Sequence, residues 1–291
     1  MRHGVAWVIM RAEIDRPIGM FDSGFGGLTV ARAVIDQLPN ENLVYIGDTA
    51  RYPYGNKSAS DVRGFAIELA TSLVRDFNVK VIVVACNTAA SVALEELQRT
   101  LPVPVIGVVE PGARALVRVT RNNKVGVIGT VGTISSGAYD RAIADTKASV
   151  SLIAAACPGF VEFVERDQTT GTEVFELAEK LLTPVRVSGV DALLLGCTHY
   201  PYLSSVISQV MGPDVVLVSS ADETAYVVRD ELAAAKTARS VESGNLGSHE
   251  FYSSGDVKHF AELGRRLLGP ELANAKYWQS KQTSSKQTSS K

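Results

Sequence analysis

Two of the chain's cysteines stand in matching settings. Cys86 closes the run VKVIVVACNTA and Cys197 the run VDALLLGCTHY, each an apolar strand-like stretch followed by a hydroxyl residue within two positions. A cysteine between strand and helix meets the positive end of the helix, and that field is expected to lower its thiol pKa from the free value near ~8.5. Asn87 and Thr88 add donors for an anionic ligand at the same helix start. Alone, such a cysteine could equally be a small buried hydrophobe. Cys197 has His199 two residues on, an imidazole able to take the thiol proton or hold a thiolate. A metal centre would need two more ligands than Cys-x-His supplies, and a cysteine hydrolase would need only one such cysteine. The duplicated setting is what neither alternative explains.

Other chemistry-bearing residues fall near the ends of strand-like runs. Asp22 opens the glycine-rich stretch DSGFGGLT, where the backbone can curve tightly against a ligand. Thr29 occupies the third glycine position of a dinucleotide fingerprint, and Asp22 would repel a pyrophosphate; only Asp48, after the next strand, favours a dinucleotide. Asp22 is therefore expected to meet a substrate ammonium or a catalytic thiol, with simple capping of a turn as the alternative. Tyr52-Pro53-Tyr54-Gly55 forms a turn after a strand. Cys157 precedes a proline with no base nearby and is expected to be structural, and Glu165 beyond it could enter a cleft or remain a solvated helix charge.

The elements that must position these groups alternate. Strands are expected at Ile18–Phe21, Leu43–Ile46, Val79–Ala85, Val105–Val109, Lys124–Ile128, Ser151–Ala155, Ala192–Leu195 and Val215–Val218, several apolar on both faces. Helical periods lie between them: Ala31, Val34, Ile35 and Leu38 form one stripe, and Val62, Phe65, Ala66, Leu69 and Leu73 another, after a start at Ser60-Asp61. Further helices are expected after Cys86 and over Ser136–Thr146, Glu173–Leu182, Leu203–Met211, Asp222–Ala235 and Asp256–Leu268. This is an α/β fold with mostly parallel sheets flanked by helices, and ligands in such sheets bind at the carboxyl edge. The two cysteine settings lie about one domain's length apart, consistent with two α/β units facing a common cleft.

The chain has 291 residues, 46% hydrophobic and 21% charged, with a formal net charge of −2. No basic field suggests nucleic acid or an anionic membrane, and the short apolar run from Gly4 to Met10 is about half a membrane span. Residues 1–17 read as a loose N-terminal arm. Residues 271–291, ending in repeated QTSSK, read as a disordered tail.

The motifs FDSGFGG, YPYG, ACNTA, ACPGFVEFVE and LLLGCTHYP, in this order, resemble those of the glutamate racemases within the aspartate/glutamate racemase superfamily. The similarity runs from about Ile18 to about Gly269. It implies two pseudo-symmetric α/β domains, 18–113 with 226–270 and 114–225, and an active site between them. Cys86 and Cys197 take the places of the catalytic pair, with Asp22, Glu165 and His199 as auxiliary groups. Substrate contacts carry over to Asp22, Ser23, Tyr54, Gly55, Asn87, Thr88, Thr198 and His199. The family uses neither pyridoxal phosphate nor metal, interconverts L- and D-glutamate in the cytoplasm, and supplies D-glutamate for bacterial peptidoglycan. Its oligomeric state varies, a homodimer included. Racemisation of another amino acid such as aspartate, or a nucleotide-binding Rossmann-like module, are the alternatives.

Overall fold

The computed structural model of the chain describes residues 13–239, 246–272 and 274–280. The first sheet is seeded by β1 (Ile18–Asp22), in which every residue is buried, as a strand covered on both faces must be. Chain order then gives α1 (Leu28–Gln37), β2 (Leu43–Gly47), α2 (Ala59–Phe77), β3 (Val81–Val84), α3 (Asn87–Thr100) and β4 (Val105–Gly107). β2 and β3 flank β1 in parallel register, and β4 pairs with β3. Crossing to the second sheet is α4 (Val109–Val119). That sheet comprises β5 (Lys124–Gly129), β6 (Ser151–Ala156), β7 (Ala192–Gly196) and β8 (Val216–Val218), all parallel, in the order β6-β5-β7-β8. Around it lie α5 (Val131–Ser135), α6 (Ala138–Asp145), α7 (Phe160–Glu165), α8 (Thr172–Val187) and α9 (Ser204–Met211). The chain then returns: α10 (Ala221–Ala234) packs on α1, β9 (His249–Ser253) pairs with β2, α11 (Val257–Leu268) follows, and β10 (Lys276–Tyr277) pairs with β9.

All eight expected strands are present, some shorter than expected. The apolar run Val105–Val109 yields a strand only to Gly107, because Val109 already opens α4, a helix not expected from the sequence; Pro111 sits in its first turn, where a missing N–H costs nothing. α2 begins at Ala59 rather than Ser60-Asp61, with the Ser58 hydroxyl accepting from the Asp61 amide at 3.1 Å. α8 runs past Leu182 and through Pro184 to Val187. β9 was not expected, since its sequence HEFYS is polar and only Phe251 and Ser253 are buried. The tail expected to be disordered from 271 includes ordered residues: Lys276 and Tyr277 pair with β9 and Trp278 is buried. Leu272 is buried as well, whereas residues 273 and 281–291 of the tail and 1–12 of the arm lie outside the described residues. Residues 13–17, expected to belong to a loose arm, are instead held to the first sheet, with Arg16 Nη2 donating to the Val79 carbonyl at 2.7 Å. α10 spans the expected domain boundary at 225/226.

The topology fixes where chemistry can occur. In the first sheet the chain leaves β1 for β2 on one side and returns to β3 on the other; in the second it leaves β5 for β6 and returns to β7. Each reversal opens a crevice at the carboxyl ends of the two central strands. Asp22 and Cys86 stand at the ends of β1 and β3, while Thr130 and Cys197 stand just past β5 and β7. Every sequence-level candidate for acid/base chemistry except Glu165 thus lies at or just beyond a switch point.

Candidate active site

Cys86 is the residue before α3 and is 4% exposed; its Sγ accepts from the Ala89 amide at 3.5 Å. The helix field was expected to lower this thiol pKa, but the net effect is the reverse. Burial pushes the Cys86 thiol well up, the Asp22 charge adds to it, and the Ala89 N–H and Ser23 hydroxyl only partly offset them. Desolvation of a thiolate outweighs one helix terminus here. Asp22 is fully buried, with Oδ2 accepting from the Gly27 amide at 2.7 Å and Oδ1 facing the Ser23 hydroxyl at 3.5 Å. It therefore caps the glycine turn, the alternative raised by its sequence, and also carries charge beside Cys86.

Cys197 is 6% exposed, and its Sγ lies 3.8 Å from His199 Nδ1. Glu165, at the end of α7, brings Oε1 to 3.4 Å from His199 Nε2, near enough for charge attraction although not aligned as a hydrogen bond. Burial alone would depress the His199 pKa, but Cys197 and Glu165 more than compensate and push it up to about 10. Both neighbours thus favour the imidazolium form. Burial raises the Glu165 pKa and His199 opposes that rise; Glu165 stands against His199 and is not a fully solvated helix charge.

The two halves meet closely. A Cβ on Gly26, in the β1–α1 turn, would lie 2.4 Å from Thr198 Oγ1 and 2.6 Å from His199 Nδ1. Thr88 Oγ1 shares hydrogen bonds with Thr130 Oγ1 at 3.0 Å and Thr133 Oγ1 at 3.2 Å. Asp22 and Cys197 both lie within electrostatic reach of Cys86, and Asp22 also within reach of His199 and Glu165. Asp22, Ser23, Cys86, Asn87, Thr88, Cys197, Thr198 and His199 thus form one buried cluster, with the half-buried Glu165 at its edge. Beside it, open space lined by Pro53, Gly55, Thr130, Cys157 and Glu162 amounts to about 20 Å³, little more than one water occupies. A cavity of about 360 Å³ lined by Arg63, Glu95, Glu110, Arg141 and Asp145 includes none of the clustered groups.

Tyr54 stands differently. Its hydroxyl donates to Asp48, which also accepts from Arg51 Nε at 2.7 Å and Ser254 Oγ at 2.7 Å. Asp48 is consumed by these bonds, which removes the one feature favouring a dinucleotide. Any ligand contact from Tyr54-Gly55 would come from the backbone of this turn, which packs against Thr130 and Gly132. Cys157 is buried in an apolar cluster with Phe160, Val164, Tyr200 and Cys197, and burial, with a smaller contribution from Cys197, pushes its thiol up.

Several residues of the cluster were not singled out from the sequence. Thr130 follows β5 as Thr88 and Thr198 follow their strands, and that strand-then-hydroxyl grammar could have found it. Tyr139 on α6, whose hydroxyl donates to Asn87 Oδ1 at 2.5 Å, carries no local signal. Tyr52 stacks on the His199 ring at 6.4 Å between centroids, and its hydroxyl and that of Tyr202 are buried without protein partners.

Known proteins resemble this chain in sequence and in fold. The sequence profile of the Asp/Glu/Hydantoin racemase family matches residues 27–226. A glutamate racemase from Corynebacterium diphtheriae is 49% identical over 262 residues, covering 90% of this chain and 97% of the relative. The chain belongs to the glutamate racemase family. Two solved structures of family members superpose closely. One, a glutamate racemase isoform from Bacillus anthracis, gives a TM-score of 0.82 at 41% identity, with 90% of this chain and 96% of the other covered. The other, from Francisella tularensis in complex with D-glutamate, gives 0.83 at 32% identity, covering 91% and 97%. The glutamate racemase resemblance read from five motifs therefore holds across nearly the whole chain.

Proposed function

We propose that the chain interconverts L- and D-glutamate by proton transfer between Cys86 and Cys197, without pyridoxal phosphate or metal. The observation that carries this is the placement of the two thiols beyond the switch-point strands of two separate sheets, each with its own charged partner. Burial and the Asp22 charge keep Cys86 a thiol, whereas Cys197 faces the protonated His199, the counter-charge a thiolate requires. In one direction the Cys197 thiolate takes the α-proton of the bound enantiomer, leaving a carbanion, and the Cys86 thiol delivers its proton to the opposite face. The thiol and thiolate have then exchanged places, which is the starting state for the other enantiomer. Asp22 is proposed to hold the substrate ammonium and to assist Cys86; Glu165 holds the charge on His199. Ser23, Asn87, Thr88, Thr198 and the Tyr54-Gly55 backbone are proposed to bind the carboxylates. The glutamate bound in the Francisella tularensis relative supports the substrate assignment. By the same family argument the D-glutamate formed is proposed to serve peptidoglycan synthesis in the cytoplasm.

Circular dichroism of L- and D-glutamate incubated with reduced protein tests this reading. Racemisation without added cofactor is expected, and Cys86→Ser or Cys197→Ser should lower kcat by about a hundredfold or more. Cys157→Ser should remain within a few-fold of wild type. Equal loss at Cys157, or full activity in either of the other variants, would contradict the assignment; turnover of aspartate but not glutamate would change the substrate.

A further inference from the structure

Asn87 immediately follows Cys86, is 2% exposed, and has a half-satisfied carboxamide. Tyr139 Oη donates to Asn87 Oδ1 at 2.5 Å, while Nδ2 is buried with no acceptor in the protein. Tyr139 is itself buried, and burial holds its hydroxyl protonated at any ordinary pH. Its ring packs on Gly196, the residue before Cys197, where an added Cβ would meet Tyr139 Cε2 at 3.0 Å. One side chain therefore links the end of β7 with the first residue of α3, and so connects the neighbours of both thiols.

The contact decides which end of the amide faces which way. With the carbonyl oxygen toward Tyr139, both the hydroxyl proton and Oδ1 are satisfied, and only a donor is left over. Turning the amide over would leave Oδ1 and the hydroxyl proton both unmet, and each buried unmet group carries its own desolvation penalty. A leftover donor suits an anion; a leftover carbonyl oxygen would repel one.

We infer that Tyr139 is a positioning residue that locks the Asn87 amide with Nδ2 ready to donate to a carboxylate of the amino acid held between the thiols. This rests on the glutamate reading above. A hydrogen bond to a charged group that is kept in both ground and transition states affects KM more than kcat.

The test compares Tyr139→Phe, Asn87→Ala and the double variant with wild type, using both glutamate enantiomers. Tyr139→Phe should raise KM about tenfold with kcat within about threefold of wild type. The double variant should be no worse than Asn87→Ala, because Tyr139 acts through Asn87. An active Tyr139→Phe with unchanged KM, or two losses that multiply, would overturn the inference while leaving the racemase reading intact. A folded wild type that does not act on glutamate would overturn that reading, and this inference with it. A second measurement needs no change at Tyr139: the side-chain amide signal of Asn87, assigned by its loss in Asn87→Ala, should shift when wild-type protein is saturated with D-glutamate. A signal that D-glutamate leaves unmoved overturns the inference even where Tyr139→Phe fails to fold.

Discussion

The environment of His199 changes its chemistry. Its pKa rises from 6.5 to about 10 because Cys197 and Glu165 outweigh the opposing effect of burial. A base whose folded pKa exceeds its unfolded value contributes stability that is complete below about 6.5 and lost as pH rises through about 10. Glu165→Gln removes one source of the shift, so the fall in melting temperature between these pH values should be smaller in the variant than in wild type. Cys86 titrates alike in both proteins and cancels in the comparison. Equal falls would mean that Glu165 does not hold the imidazolium. The paired cysteines stood out because they recur in one local grammar, Asp22 because it opens a glycine-rich turn after a strand, and His199 because it lies two residues beyond Cys197. The direction of the Cys86 shift was not, because the sequence shows the helix start but not the depth of burial. Tyr139 was invisible for a related reason: its partner Asn87 is 52 residues away, and nothing beside it on α6 marks it out.

At the scale of elements, the site depends on the β1–α1 turn reaching across to the loop that follows β7. Gly26 allows this approach, since any Cβ there would collide with Thr198 and His199. It acts through space, because its backbone is not left-handed. Gly26→Ala should therefore lower kcat/KM by about tenfold or more while shifting the melting temperature by only a few degrees. Unchanged kinetics would show that the turn can give way at no cost to the cysteine pair. The parallel strands were readable because strands buried on both faces are continuously apolar. β9 escaped because an outer strand with one buried aromatic, HEFYS, lacks that signature. α4 escaped because its first residues continue the apolar run of β4 without an obvious break.

Across the whole molecule, two parallel sheets turn their switch-point crevices toward one buried cluster, so neither half holds the site alone. The enclosure matters for the chemistry. A carbanion beside a carboxylate is stabilised where water is excluded and fixed donors replace it, and both thiols are almost fully buried. The most direct test of the central claim is racemisation of L-glutamate in deuterated buffer, followed by mass analysis of each enantiomer at early times. The two-thiol account predicts that newly formed D-glutamate carries deuterium at the α-carbon while the remaining L-glutamate keeps its hydrogen. Deuterium entering L-glutamate as fast as D-glutamate forms, or D-glutamate formed without deuterium, would contradict it.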